Sequence, residues 1–278
     1  MKKPFSAWCL VLGALEPILS KNQEPKTKNQ EPRTNHLLSI LHSQFFIHML
    51  IGFSIGLILA LTARATRTVD WSGAIAGGLI ACALFVAFGW GGVTQLMAFF
   101  AVGTASSRVG YQRKHKIGVA QQTRTWRNAA ANAGVGGILA LIGCLTTAHP
   151  GYALGIAASF AAAASDTVSG EIGRVYGRHP RLITTWKPAV TGENGAITLV
   201  GTLTGIVCSV GMATLAWKMD LLPSLLALGC VAGAGMAGNL IDSFLGATLE
   251  HQGFLDNEGV NFCCTSSAAL LVQLYWLL

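Results

Sequence analysis

The sequence predicts an all-α, polytopic integral membrane bundle of about seven to eight transmembrane helices, and three observations carry that prediction. Charged residues make up only 11% of the chain against 52% hydrophobic ones, where a soluble domain carries roughly 25% charged residues. Glycine occurs 33 times, and it is more frequent in membrane helices than in soluble ones. Apolar runs follow one another along most of the chain with only short polar breaks. Such a composition cannot cover a water-facing surface, which excludes most soluble-enzyme readings. The net charge of +7 then belongs to membrane-flanking loops, and no nucleic-acid partner is expected.

Residues 1–43 read as an N-terminal extension and 44–278 as a transmembrane catalytic domain. Lys2 and Lys3 precede the apolar run Phe5 to Leu15, which suits a signal-like segment and is too short to span a bilayer. A tandem heptapeptide follows, Lys21 to Thr27 and Lys28 to Thr34. It holds no large apolar residue, so disorder is expected. Apolar spans are predicted at 44–62, 72–88, 93–107, 128–148, 151–168, 194–217, 222–248 and 262–278, with the division of 72–107 left open. Small residues recur at every fourth position at Gly52 and Gly56, Gly73 and Gly77, Gly201 and Gly205, and Gly229, Gly233 and Ala237. Such rows let helix backbones approach closely in lipid. The seven cysteines show no metal-binding spacing and read as structural.

Positive charge alternates between the breaks. Arg64 and Arg67 follow the first span; Arg108, Arg113, Lys114, Lys116, Arg124 and Arg127 precede the fourth; Arg174, Arg178, Arg181 and Lys187 precede the sixth. The breaks near 89–92, 146–150 and 218–221 are almost bare. This bias assigns the basic loops to the cytoplasm and the chain to a cell (bacterial inner) membrane, with a site facing the cytoplasm.

Acids are scarce, and Asp166, Glu171, Glu193, Asp242, Glu250, Asp256 and Glu258 all fall on the basic side. Ionisable groups in membrane helices are expensive and mark candidate sites. Asp166 and Glu171 lie five residues apart, about 140° around a helix. They could share one ion only if Gly170 lets the helix end unwind, and Asp166 reads alternatively as a hydrogen-bonded plug. The turn Thr191 to Ala196 is read as opening the next helix, where free N–H groups beside Arg174, Arg181 and Lys187 would bind an anion. Asn239, Asp242 and Gly246 form a polar and small stripe that should line the bundle interior or a cavity. Carboxylates and Asn against Arg and Lys make the inventory of a Mg²⁺–phosphate site, without the Cys/His set of zinc.

Several of these segments resemble one family. Ser165 to Gly173, Pro180 to Pro188, Glu193-Asn-Gly195, Gly201-Thr202, Asp242 to Thr248 and Arg127 to Gly134 are similar to the multi-span membrane family of the plant phytyl-phosphate kinase of vitamin E synthesis. The resemblance covers about residues 45–278. One departure is Glu193, where the family usually carries Thr.

The resemblance implies phosphoryl transfer from a nucleoside triphosphate, with CTP the favoured candidate, onto an isoprenyl or phytyl monophosphate. The expected catalytic residues are Asp166, Glu171, Asn194 and Asp242. The expected phosphate and substrate contacts are Arg127, Asn132, Arg174, Arg181, Lys187, Gly195, Ser243 and Asn261. Mg²⁺ is the expected cofactor, on Asp166, Glu171, Asp242 and Asp256. A phosphate monoester has a second pKa of about 6, so the acceptor is mostly a dianion at neutral pH and needs no general base. Two alternatives stay open: a CTP-dependent cytidylyltransferase acting on a lipid phosphate, and a lipid or ion transporter, since buried acids on Gly-broken helices also describe carriers. Carriers tend to show a repeated half, and none is apparent between 45–150 and 151–278. The sequence assigns no oligomeric state.

Overall fold

The computed structural model describes residues 31–65, 67–120, 123–146 and 150–277. The signal-like segment and most of the tandem repeat lie outside them. Helix α1 (Glu31–Ala65) becomes apolar enough to cross a membrane from Phe46 onward. Its helical backbone extends back through residues 31–43, so the extension boundary falls inside a helix. Composition had placed that boundary where the apolar run begins, and a helix can continue past its apolar part.

Helix α2 (Trp71–Arg108) starts at Asp70, whose carboxylate accepts from the Gly73 N–H at 2.7 Å and the Ser72 hydroxyl at 2.8 Å. At Gly89 the backbone leaves helical geometry, with φ 58° and ψ −145°, a conformation glycine adopts without the usual penalty. There the chain doubles back. Arg124 Nη2 donates to the Gly103 carbonyl at 3.2 Å, while the Arg124 carbonyl would lie 2.9 Å from a Cβ placed on Gly73. In a straight helix those glycines would stand about 45 Å apart. Residues 71–88 and 90–108 are therefore two passes, which settles the open division.

The short helix α3 (Tyr111–Lys116) precedes α4 (Trp126–Leu145), which opens with a Thr125/Asn128 capping box. Helix α5 (Pro150–Tyr176) occupies the centre. Its run Ala161 to Ala164 is fully or almost fully buried, and these small side chains let the flanking helices α6 (Leu199–Lys218) and α7 (Leu225–Leu245) approach closely. A π-helical turn, Gly246–Glu250, continues α7. Helix α8 (Asn257–Leu271) and a 3₁₀ segment (Val272–Leu277) close the chain. Five of the described helices are long and apolar enough to cross a membrane, α2 counted as one. Counting both passes of α2, with the buried α5 at the centre and the half-buried α8 against it, gives a helical bundle of the expected size.

Two boundaries differ from expectation. The helix predicted at 151–168 continues to Tyr176 without unwinding at Gly170. The helix predicted from 194 begins at Leu199, because Gly195 takes φ 77° and Thr198 caps the new start by accepting from the Gly201 N–H at 3.1 Å. Between them, strands β1 (Arg181–Leu182) and β2 (Ala196–Ile197) pair antiparallel, with Arg181 opposite Ile197 and Leu182 opposite Ala196.

The small-residue rows divide in their use. Gly56 meets Gly78 at backbone contact, and Gly205 would collide with Asn239 and Ser165 if it carried a Cβ. A Cβ on Gly229 or Gly233 would meet nothing within 4 Å, so these two glycines make no close helix contact. With the passes alternating in direction, all three basic loops converge at one end of the bundle. The bare breaks 89–92 and 218–221 meet each other, with Gly91 against Leu221.

Candidate functional site

A cavity of about 480 Å³ opens among α1, α2, α4, α5, α7 and the segment 191–202. Asp166 projects into it from α5 and Asp242 from α7, and their carboxyl groups meet within hydrogen-bonding reach. Asp242 Oδ2 is buried with no hydrogen-bond partner among the described residues. Asn239, one turn before Asp242, fastens α7 to α5: its Nδ2 donates to Ser165 Oγ at 3.0 Å, and its Oδ1 accepts from Ser169 Oγ at 3.3 Å. Ser165 in turn donates to the Gly205 carbonyl of α6 at 3.0 Å. These bonds hold the two helices, and so the two carboxylates, at a set separation.

Asp166 and Asp242 supply only oxygen ligands, and one carboxylate oxygen is left without a donor. A hard cation such as Mg²⁺ takes oxygen ligands, so the residues present fit it. The expected four-carboxylate cluster does not assemble: among the described residues, no three His, Cys, Asp or Glu side chains converge on one point. Glu171 lines the cavity yet is engaged elsewhere. It forms a buried ion pair with Lys114, whose side chain is fully buried, and its Oε1 accepts from Arg174 at 3.4 Å. Lys114 also donates to the Ser107 carbonyl at 2.8 Å and so caps α2. Because α5 stays helical through Gly170, Asp166 and Glu171 face different ways. Asp256 lies outside the cavity, where it caps α8 through the Gly259 N–H at 2.8 Å and pairs with Arg127.

The expected phosphate contacts separate in the same manner. Asn132, Arg174, Gly195, Ser243 and Asn261 line the cavity, as does Asn194. Arg127, Arg181 and Lys187 do not. Arg127 ties the start of α4 to Asp256 and Glu258 at the start of α8. Arg181 donates to the Trp186 carbonyl at 2.7 Å and so closes the hairpin 180–188, on which Lys187 is exposed. The turn 191–195 does not open a helix, contrary to the expectation, because β2 intervenes. It reaches the cavity by packing on the π turn: Gly195 abuts Ala247, and the Asn194 amide meets the Glu250 carboxylate. The extra acid Glu193 folds back to accept the Val190 N–H at 2.8 Å.

Residues 54–269 match the family model described as Integral membrane protein DUF92. The chain belongs to this family. The match encloses every cavity-lining residue, from Leu59 to Asn261, and it is the family to which the motif resemblance points. An uncharacterized membrane protein of Methanocaldococcus jannaschii is 34% identical to this DUF92 chain over 220 residues, 79% of the chain and 90% of that relative. Protein PGR of Arabidopsis thaliana is 30% identical over 255 residues, 74% of the chain and 88% of the relative. Protein VTE6, chloroplastic, also of Arabidopsis thaliana, is 31% identical over 213 residues, 73% of the chain and 64% of the relative. No solved structure matches.

One cavity residue of the DUF92 chain escaped the sequence reading of the site, Arg124, while Asn239 and Glu250 stood among the candidates without an assigned role. Arg124 lies in the connection before α4, with its backbone tied to Thr68 and Asp70 by bonds of 3.0 Å each. Burial pushes its guanidinium below the ordinary value, and the charge of Glu171 acts in the opposite direction. In sequence it is one cation among six in a basic loop, and nothing there separates it from a membrane-flanking charge.

Proposed function

We propose that this protein is a Mg²⁺-dependent kinase that transfers a phosphoryl group from a nucleoside triphosphate to an isoprenyl or phytyl-type monophosphate. The observation that carries this reading is the Asp166–Asp242 pair with its unpartnered oxygen, set in a cavity that also holds Arg124 and Arg174. Opposed carboxylates need a proton or a cation between them, and a hard cation suits their oxygen atoms, while the neighbouring arginines suit phosphate groups. The cavity also has an apolar wall from α1 and α2, as a lipid acceptor requires. Motif resemblance and family membership support the same reading.

Asp166 and Asp242 are the residues that would hold Mg²⁺, which when bound screens the repelling phosphates. Arg174, oriented by Glu171, faces the anionic groups. The Asn194–Gly195 turn and Asn261 complete the polar rim. An oxygen of the acceptor phosphate attacks the terminal phosphorus of the donor; one O–P bond forms, and the bond to the nucleoside diphosphate breaks. The acceptor arrives as a dianion, so no proton need be removed, and catalysis reduces to holding two anions in line. Convergence of the basic loops at the cavity end supports a cytoplasmic site.

The test is purified protein in detergent with prenyl monophosphates, labelled nucleoside triphosphates and Mg²⁺. Formation of the prenyl diphosphate is expected. Cytidine appearing on the lipid would indicate nucleotidyl transfer instead. No product across the panel with folded protein would reject both enzymes in favour of a carrier.

A further inference from the structure

The cavity has two parts, and Arg124 stands at their junction. One part is polar and centres on Asp166 and Asp242. The other is an apolar trench whose walls include Leu59 and Ala60 of α1, Gly77, Leu96 and Phe100 of α2, and Ala133 of α4. Gly77 faces open space, since a Cβ there would meet nothing within 4 Å. The backbone of Arg124 lies against Gly73 at the trench, and its guanidinium reaches Gly103. A Cβ on Gly103 would sit 3.5 Å from both Arg124 Nη2 and Thr167 Cγ2, so the guanidinium lies beside the residue that follows Asp166.

Arg124 is also under-used. Its protein partners are the Gly103 carbonyl at 3.2 Å and the Thr104 hydroxyl at a long 3.5 Å. Among the described residues no carboxylate lies within ion-pairing distance of it. Arg174, by contrast, is paired to Glu171. A guanidinium carries five N–H donors, and a largely buried cation whose nearby acid, Glu171, is already paired to Lys114 and Arg174 is expensive unless an anion arrives.

We propose that Arg124 anchors the phosphate of the acceptor, a single-chain isoprenyl monophosphate whose hydrocarbon lies in the α1/α2/α4 trench, and that Gly77 sets the length of chain accepted. The identity of this ligand rests on the kinase reading. The donor nucleotide then occupies the other side, toward Arg174 and the Asn194–Gly195 turn. The arrangement presents the acceptor oxygen to the carboxylate pair from the lipid side, and no aqueous route for the tail is needed.

The test measures equilibrium binding to the full chain in detergent, without nucleotide, using geranylgeranyl phosphate, geranylgeraniol, geranyl phosphate and dioleoyl phosphatidate. Wild type should prefer geranylgeranyl phosphate over its alcohol. Arg124→Gln should weaken the phosphate by roughly 10- to 150-fold, the range for losing a charge-assisted contact, and leave the alcohol unchanged. Gly77→Phe, which enters open space, should weaken geranylgeranyl phosphate at least about tenfold and spare geranyl phosphate. Unchanged phosphate binding in folded Arg124→Gln overturns the anchor. If that variant does not fold, Gly77→Phe decides: an unaltered chain-length preference overturns the proposal. Phosphatidate binding as tightly as the prenyl phosphate rejects the single-chain trench. Arg124-dependent binding without phosphoryl transfer would defeat the kinase and keep the lipid-phosphate site; transfer with Arg124-independent binding would do the reverse.

Discussion

Asp166 on α5 and Asp242 on α7 bring their carboxyl groups together inside the cavity, and Asp242 Oδ2 has no donor among the described residues. Two like charges held together in a low-dielectric interior repel unless a proton or a cation joins them. The Asn239–Ser165–Gly205 bonds keep the helices from separating to relieve that repulsion.

Replacing either carboxylate by its amide should therefore separate function from stability. Asp166→Asn and Asp242→Asn are expected to insert normally and to lose activity on the order of a thousandfold or more, equivalent to several kcal/mol. Without Mg²⁺ their melting temperatures should equal or exceed wild type. Added Mg²⁺ should raise the melting temperature of wild type alone. A Mg²⁺-dependent rise of wild-type size in both variants would remove the pair from the site.

Lys114 and Glu171 should behave as a structural pair that positions Arg174. Their side chains are 0% and 3% exposed. Breaking such a pair from one side typically costs about 3–5 kcal/mol, because an uncompensated charge stays buried. Lys114→Met should destabilise the fold by that amount in denaturation, and Lys114→Met with Glu171→Leu should recover much of it. Glu171→Gln, where it folds, should raise KM more than it lowers kcat. A selective collapse of kcat would instead make Glu171 a direct participant.

Gly195→Ala should disturb both the turn and its dock. The residue has φ 77°, and a Cβ would approach the Ala247 nitrogen at 2.6 Å. Strain of this kind costs about 1–3 kcal/mol, and relief requires the turn to lift from the π segment. Reduced nucleotide affinity with a lowered melting temperature is the expected pair of results, read by isothermal titration and thermal unfolding.

Arg181→Ala and Lys187→Ala should leave the substrate KM within about threefold of wild type, since exposed charges outside a site contribute little. Arg181→Ala should loosen the hairpin through loss of the Trp186 contact, visible as faster amide exchange at residues 181–187. A large KM increase in either variant would return that loop to the phosphate site.

Asp256 provides an acid-sensitive contact. The Gly259 N–H, and then Arg127, hold its carboxylate below the ordinary range. A lowered folded-state pKa means that its stabilisation is full above about pH 4 and is lost as pH falls through the folded value. Asp256→Asn keeps a good cap and should flatten that acid limb in a pH–melting profile while leaving turnover near wild type. Loss of turnover comparable to Asp242→Asn would restore Asp256 as a metal ligand.

Much of this molecule is written in local chemistry. Low charge and long apolar runs dictate helices that bury their own backbone bonds. The spacing of the basic loops pointed to their convergence at one end, whereas the division of 72–107 was decided by Gly89 leaving helical geometry. The Asn239–Asp242–Gly246 stripe likewise announced an interior face, because polar residues on an apolar helix must find a partner or a cavity. What the sequence could not decide was which charges face one another. Lys114 and Glu171 are 57 positions apart, as distant as any unrelated pair, and only the return of α2 and α3 onto α5 joins them. The same packing removed Glu171 and Asp256 from the expected metal site, left Asp166 opposite Asp242, and selected Arg124 from a loop of similar cations. Side-chain type is local, but electrostatic partnership depends on distances through space, and those are set by how the helices pack.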